Sequence, residues 1–159
     1  MTTITPTPVV KTVTVACAPA RAFDLFTAGM GRWWQPSHSL TRSGQADVVI
    51  EPRTGGAWYE LGKQGERCDW GHVASWDPPA RLVLIWRLSP DFAYDPSLHT
   101  EVEVTFTPEG SGTRVRLEHR MLENYGAAGA QMAHVFDSPN GWGGLIGAYM
   151  ALAGRGDQA

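Results

Sequence analysis

The stretch "TEVEVTFTPEGSGTRVRLEHR", residues 100–120, alternates in polarity with a period of two on both sides of a glycine-containing turn. Val102, Val104 and Phe106 share one face and Glu101, Glu103 and Thr105 the other. On the return, Val115, Leu117 and His119 alternate with Arg114, Arg116 and Glu118. This is the pattern of an antiparallel hairpin with one buried face. A four-residue loop, Pro108 to Ser111, would set Val104 opposite Val115 on the dry side and Glu103 opposite Arg116 on the wet side. Glu101, Glu103, Arg114 and Arg116 then read as a solvated cross-strand ladder, and His119 falls on the apolar face.

Working outward, residues 9–16, 46–51, 56–61, 66–76 and 81–88 are further strand candidates, separated by Gly55-Gly56, Gly62 to Gly65 and "DPPA" at 77–80. Between the first two, "APARAFDLFTAGMGRWW" changes to a helical period, with Ala22, Phe23 and Phe26 on one face. Gly29 and Gly31 break it before a short second helix ending at Trp33 and Trp34. Residues 121–137 are weakly helical and interrupted by Gly126 and Gly129. The order is strand, two short helices, about six antiparallel strands and a closing helix.

That closing segment, "SPNGWGGLIGAYMALAG" at 138–154, is not a phosphate loop. Ile146 stands where the third glycine of GxGxxG belongs, and the segment has no lysine for a P-loop. At helical spacing Trp142, Leu145, Ile146, Tyr149, Met150 and Leu152 fill an arc of roughly 160°, and Gly143, Gly144, Gly147, Ala148 and Ala151 the remainder. Ser138 and Pro139 read as its N-cap and first-turn proline. The bulky arc buries against the sheet. The small arc either faces solvent or admits another backbone, including a second copy in a homodimer through Gly143, Gly147 and Ala151.

The 159 residues suit a single domain, ordered over about 9–153. A net charge of −3, with 13 basic and 16 acidic residues dispersed along the chain, gives no electrostatic footprint for nucleic acid. No stretch approaches the ~20 apolar residues of a membrane span. Cys17 and Cys68 lack CxxC spacing and no secretory leader pattern opens the chain, so a cytoplasmic setting is expected. The five histidines show no HExxH-like spacing, and "GSG" at 110–112 is not a GxSxG elbow; no metal, cofactor or nucleophile is expected.

"PARAFDLFTAGMGRWWQP", "GGAWYE", "GHVASWDPPARLVLIWRL", the 100–120 hairpin and "GW" at 141–142 together resemble the activator of heat-shock protein 90 ATPase homologue family, within the START-like (polyketide cyclase, SRPBCC) superfamily. The resemblance runs over residues 9–153. It implies an α+β helix-grip fold: a curved antiparallel sheet of six or seven strands around a C-terminal helix, with a cavity between.

Seven tryptophans are many for this length, and charged residues, at 18%, are few. In such a fold Trp58, Trp70 and Trp86 would form cavity walls, Trp142 and Tyr149 a roof, and His72 and His119 the polar contacts. His72 is assigned by its shared parity with Cys68, Trp70 and Trp76. Trp33 and Trp34 read as core or rim, Glu66 and Asp69 as candidates for the mouth, and 89–99, with Phe92 and Tyr94, as a lid or an ordinary packed loop. The leading reading is a protein that binds a small apolar or aromatic molecule. The alternatives are a chaperone-cofactor-type interaction module and a cyclase- or hydratase-like enzyme that moves a proton with His72 or His119.

Overall fold

The computed structural model describes residues 6–154. Seven strands, β1 (Val9–Val15), β2 (Gln45–Ile50), β3 (Ala57–Gly62), β4 (Arg67–Asp77), β5 (Arg81–Trp86), β6 (Thr100–Glu109) and β7 (Gly112–Arg120), form one sheet. Its order is β1-β7-β6-β5-β4-β3-β2, with every neighbouring pair antiparallel. Helices α1 (Pro19–Thr27) and α2 (Met30–Trp33) follow the first strand, and α3 (Gly129–Asp137) and α4 (Trp142–Gly154) close the chain over the concave face. This is the expected helix-grip. No helix among the described residues is long and apolar enough to cross a membrane.

The strand faces follow the alternation of the sequence, with local departures. In the β6–β7 hairpin Glu109 pairs with Gly112, so the turn has two residues rather than four. Gly110, at φ +60°, supplies the positive φ that a tight turn needs at its first central position. Glu103 therefore faces Glu118, not Arg116, and Val104 faces Leu117, not Val115. A shift of two preserves parity, so the buried and exposed faces stand. The like-charged pair is relieved by Arg120, which bonds Glu103 at 2.5 Å and Glu101 at 3.0 Å, and by Arg81 on Glu103 at 2.5 Å.

On β4 the departure changes a face. The β3–β4 register slips between Trp58 and Tyr59, leaving Trp70 unpaired between Gly71 and Asp69. A bulge turns two successive residues toward one side. Trp70 is fully buried, Gly71 lies opposite the inward Trp58 and Trp86, and His72 is sent to the convex face between Ala57 and Ile85. A second slip near Ala74 lets Trp76 pack on Phe23.

The closing helix buries Trp142, Leu145, Ile146, Tyr149 and Leu152, whereas Met150, placed in the bulky arc by spacing, is 41% exposed. Its start also differs from the expectation: Ser138 terminates α3, its hydroxyl bonding the Val135 carbonyl, instead of capping α4. Gly129 opens α3 and Gly31 lies within α2, so neither is a breaker. On the small arc, a Cβ at Gly144 would collide with the Pro139 carbonyl oxygen, while one at Gly147 would meet nothing within 4 Å. The close backbone approach comes from this chain's own α3–α4 corner.

One buried chain of hydrogen bonds fastens α4 to three strands. The Trp142 indole N–H donates to His119 Nδ1 at 3.0 Å, His119 Nε2–H donates to Thr100 Oγ1 at 2.9 Å, and that hydroxyl donates to the Trp86 carbonyl at 2.9 Å. His119 must be neutral to accept from Trp142. Burial disfavours its charged form and pushes its pKa down to about 3. Tyr149 adds a second tie, its hydroxyl donating to the Ala22 carbonyl at 2.7 Å.

Two stability tests follow from this packing. Gly147→Ala gains helix propensity without a clash and should stabilise by about 1 kcal/mol, raising Tm by about 2–4 °C, whereas Gly144→Ala should lower it. Thermal melts of the two variants check this contrast. For His119, the folded pKa lies below the unfolded value, so its contribution is complete above about pH 6.5 and is lost as pH falls toward 3, at up to about 1.4 kcal/mol per pH unit. His119→Asn, which keeps an acceptor for Trp142 but cannot titrate, should lose less Tm than wild type between pH 7 and pH 5.5.

Candidate functional site

A cavity of about 430 Å³ opens between the concave face, the segment after α2 and the α3–α4 corner. Its floor comes from Trp70, Trp86 and Leu88, and one wall from Trp34. The opposite wall comes from Val135 and Phe136 of α3 and from Trp142 and Leu145 of α4. Phe92, held at φ +59° in the connection between β5 and β6, lines a side, while Tyr94 of the same loop points outward and is 43% exposed.

The aromatic walls interlock in tilted and edge-to-face contacts. Trp34 and Trp70 have ring centroids 4.7 Å apart, Trp34 and Trp142 5.7 Å at 82°, and Trp86 and Trp142 5.9 Å at 61°. Such contacts hold rings rigidly at separations the aromatic quadrupole favours. The indole N–H of Trp34 is buried without a hydrogen-bond partner among the described residues.

Polar lining groups gather on one rim: Ser37, His38 and Ser39 from the 3-10 turn Pro36–His38 and the residue after it, and Asn140 from the α3–α4 corner. His38 Nε2 lies 2.6 Å from the Asn140 carbonyl oxygen, joining the two sides of the rim. Since a carbonyl only accepts, Nε2 carries the proton. In the neutral ring Nδ1 is then the acceptor, 3.2 Å from the Ser37 hydroxyl.

Glu60 positions that rim. It lies on the concave side of β3 and is fully buried. One oxygen accepts from the Leu40 amide at 2.8 Å, and the other from the Ser39 hydroxyl at 2.5 Å and the Thr41 hydroxyl at 2.8 Å. A buried carboxylate that accepts several donors is compensated for its lost hydration. It fixes residues 39–41, and with them the Ser39 and Leu40 edge of the cavity.

The residues singled out from sequence divide sharply. Trp70, Trp86 and Trp142 line the cavity. Trp58 does not: it is buried behind the floor against Trp70 and Trp86, its indole N–H directed at Met30 Sδ, 3.3 Å away. Tyr149 is likewise core, packed on Phe26 and Trp33. His119 is sealed beneath Phe136, which stacks on it at 4.4 Å, and has no open edge toward the cavity. His72 is on the other side of the sheet because of the bulge at Trp70, its pKa lowered by partial burial and by Arg87 and His99. Glu66 is engaged with Ser43 and Asp69 with Arg67, away from the cavity.

Sequence reading missed His38, Leu40, Phe136, Leu145 and the wall role of Trp34. A signal was available for two of them. A helix ending in Trp33-Trp34, followed directly by Gln35, Pro36, Ser37 and His38, places polar side chains on a loop beside a pair of large aromatics.

Residues 16–146 match the family model described as activator of Hsp90 ATPase homolog 1-like protein. Among solved structures, the chain is similar to an anthrahydroquinone-γ-pyrone synthase, Txn09, solved with a ligand designated SUM. That match has 35% identity and a TM-score of 0.65, and covers 93% of this chain and 97% of that one. It is similar to CalC, a self-sacrificing resistance protein from Micromonospora echinospora, at 30% identity and a TM-score of 0.72, covering 97% and 98%. The Aha1 dimer of Colwellia psychrerythraea shares the fold at 14% identity and a TM-score of 0.64, covering 95% and 98%. No curated protein sequence matches. With 131 of its residues inside the family model and two relatives at 30% identity or more, the chain belongs to the activator of Hsp90 ATPase homologue 1-like family of the START-like superfamily.

Proposed function

We propose that this protein binds a small, uncharged aromatic molecule in the cavity between its sheet and its closing helices. The observation that carries the reading is the lining itself: interlocked tryptophans on floor and walls, polar groups confined to one rim, and no Asp, Glu, Lys or Arg among the lining residues. A volume of about 430 Å³ lies in the range of small-molecule pockets, roughly 300–1,000 Å³. Apolar walls reward burial of a ring system at about 25 cal/mol per Å², and a rim of hydroxyl, imidazole and amide groups orients one polar end. A ligand with a permanent charge would lose hydration without gaining an Asp, Glu, Lys or Arg partner among the lining residues. The relatedness to a synthase named for an anthrahydroquino-γ-pyrone supports an aromatic ligand over a simple lipid.

The test is a panel of neutral polycyclic ketones, their carboxylated counterparts and fatty acids, read by quenching of tryptophan fluorescence. Saturable binding confined to the neutral aromatics is expected. Leu40→Trp, which fills the rim from a half-buried position, should weaken that binding at least about tenfold, or 1.4 kcal/mol, with Tm unchanged. Equal binding of all three classes, or affinity indifferent to Leu40→Trp, would remove the cavity as the site.

A further inference from the structure

We infer that His38 is the proton acceptor of this cavity, acting on an ionisable hydroxyl, phenol or enol, carried by the aromatic ligand; the inference rests on the ligand-binding reading above. His38 is the sole titratable side chain among the lining residues described. The neighbouring candidates are already committed. Glu60 spends both oxygens on Ser39, Leu40 and Thr41, and His119 has both nitrogens bonded inside the core.

The imidazole is oriented as a base. Its Nε2–H is held by the Asn140 carbonyl at 2.6 Å, which fixes both ring orientation and tautomer. The remaining lone pair, on Nδ1, has only the Ser37 hydroxyl near it, at 3.2 Å. Ser37 and Asn140 are themselves lining residues, so both edges of the ring sit at the cavity wall. A ligand hydroxyl can replace the Ser37 hydroxyl at Nδ1, which is exposed and rotates freely. This is base and orienter without a dedicated protein nucleophile, an arrangement that serves proton transfer to and from the ligand.

The step balances within the pair. The ligand O–H bond breaks, its proton forms an N–H bond at Nδ1, and the electron pair stays on the ligand oxygen as phenolate or enolate. The imidazolium keeps its Nε2–H bond to Asn140 and pairs with the ligand oxygen anion at the rim. Returning the proton to carbon or oxygen regenerates the neutral ring.

The probe is 2-hydroxyanthraquinone, whose phenolate absorbs in the visible, with anthraquinone as the control that lacks the hydroxyl. His38→Gln places an amide N–H where Nε2–H was and so retains the bond to Asn140, but removes the base. Wild type should lower the apparent pKa of the bound phenol by about one unit or more relative to His38→Gln, while both bind anthraquinone within about twofold. Ser37→Ala, which leaves the imidazole intact, should retain the wild-type phenolate signal. Bound probe with the same phenolate fraction in wild type and His38→Gln overturns the role of His38 and leaves the ligand site standing. Failure of wild type to bind either anthraquinone removes the site, and the inference with it.

Discussion

The neutral imidazole of His119 is the constraint on which the architecture turns. It links the Trp142 indole N–H of the closing helix to Thr100 and, through it, to the Trp86 carbonyl, so one side chain joins α4 to β7, β6 and β5. A buried polar group is tolerable only with its hydrogen bonds satisfied, and here every member has a partner. Trp86 and Trp142, the two ends of this chain, are also floor and wall of the cavity. The bond that closes the fold therefore sets the separation of the surfaces that would hold a ligand.

The cavity exists because the aromatic groups are divided between two tasks. Trp33, Trp58, Phe26 and Tyr149 fill the interior, with the indole N–H of Trp33 on the Leu25 carbonyl and the hydroxyl of Tyr149 on the Ala22 carbonyl. Trp34, Trp70, Trp86 and Trp142 pack against that filled layer and leave their far side open. Tyr125 braces the arrangement, accepting from the Trp86 indole at 3.0 Å and donating to the Leu88 carbonyl at 2.6 Å. Burial keeps its phenol un-ionised, pushing its pKa well above the usual value. Glu60 performs the equivalent service for the rim, where a hydroxyl or amide in its place would accept fewer bonds.

Much of the fold was legible because β structure and helix write distinct periods. The strands begin and end within a residue or two of where alternation starts and stops, and the hairpin's buried face survived an error in loop length because a shift of two leaves parity unchanged. The site was less legible. Extrapolating parity along β4 put His72 beside Trp70, and a single extra residue at the bulge reversed it. Identity of residue type did not separate Trp58, which is core, from Trp70, which faces the cavity, although the two rings touch at 5.5 Å. His38 carried no periodic signal at all, lying in a three-residue turn.

By itself the sequence determined the order of the strands, the faces of all of them but β4, and the family, since each rests on local spacing or on residues read in line. It also determined that the closing segment is a helix with a bulky and a small side. Only the tertiary structure decided that His119 is a sealed fastener, that His72 lies outside, and that His38 meets Asn140 across 102 positions of chain. Those outcomes depend on bulges that reset parity and on how far the closing helices descend onto the sheet. Both are set by packing between segments distant in sequence, where no local period records which side chain fills space and which borders it.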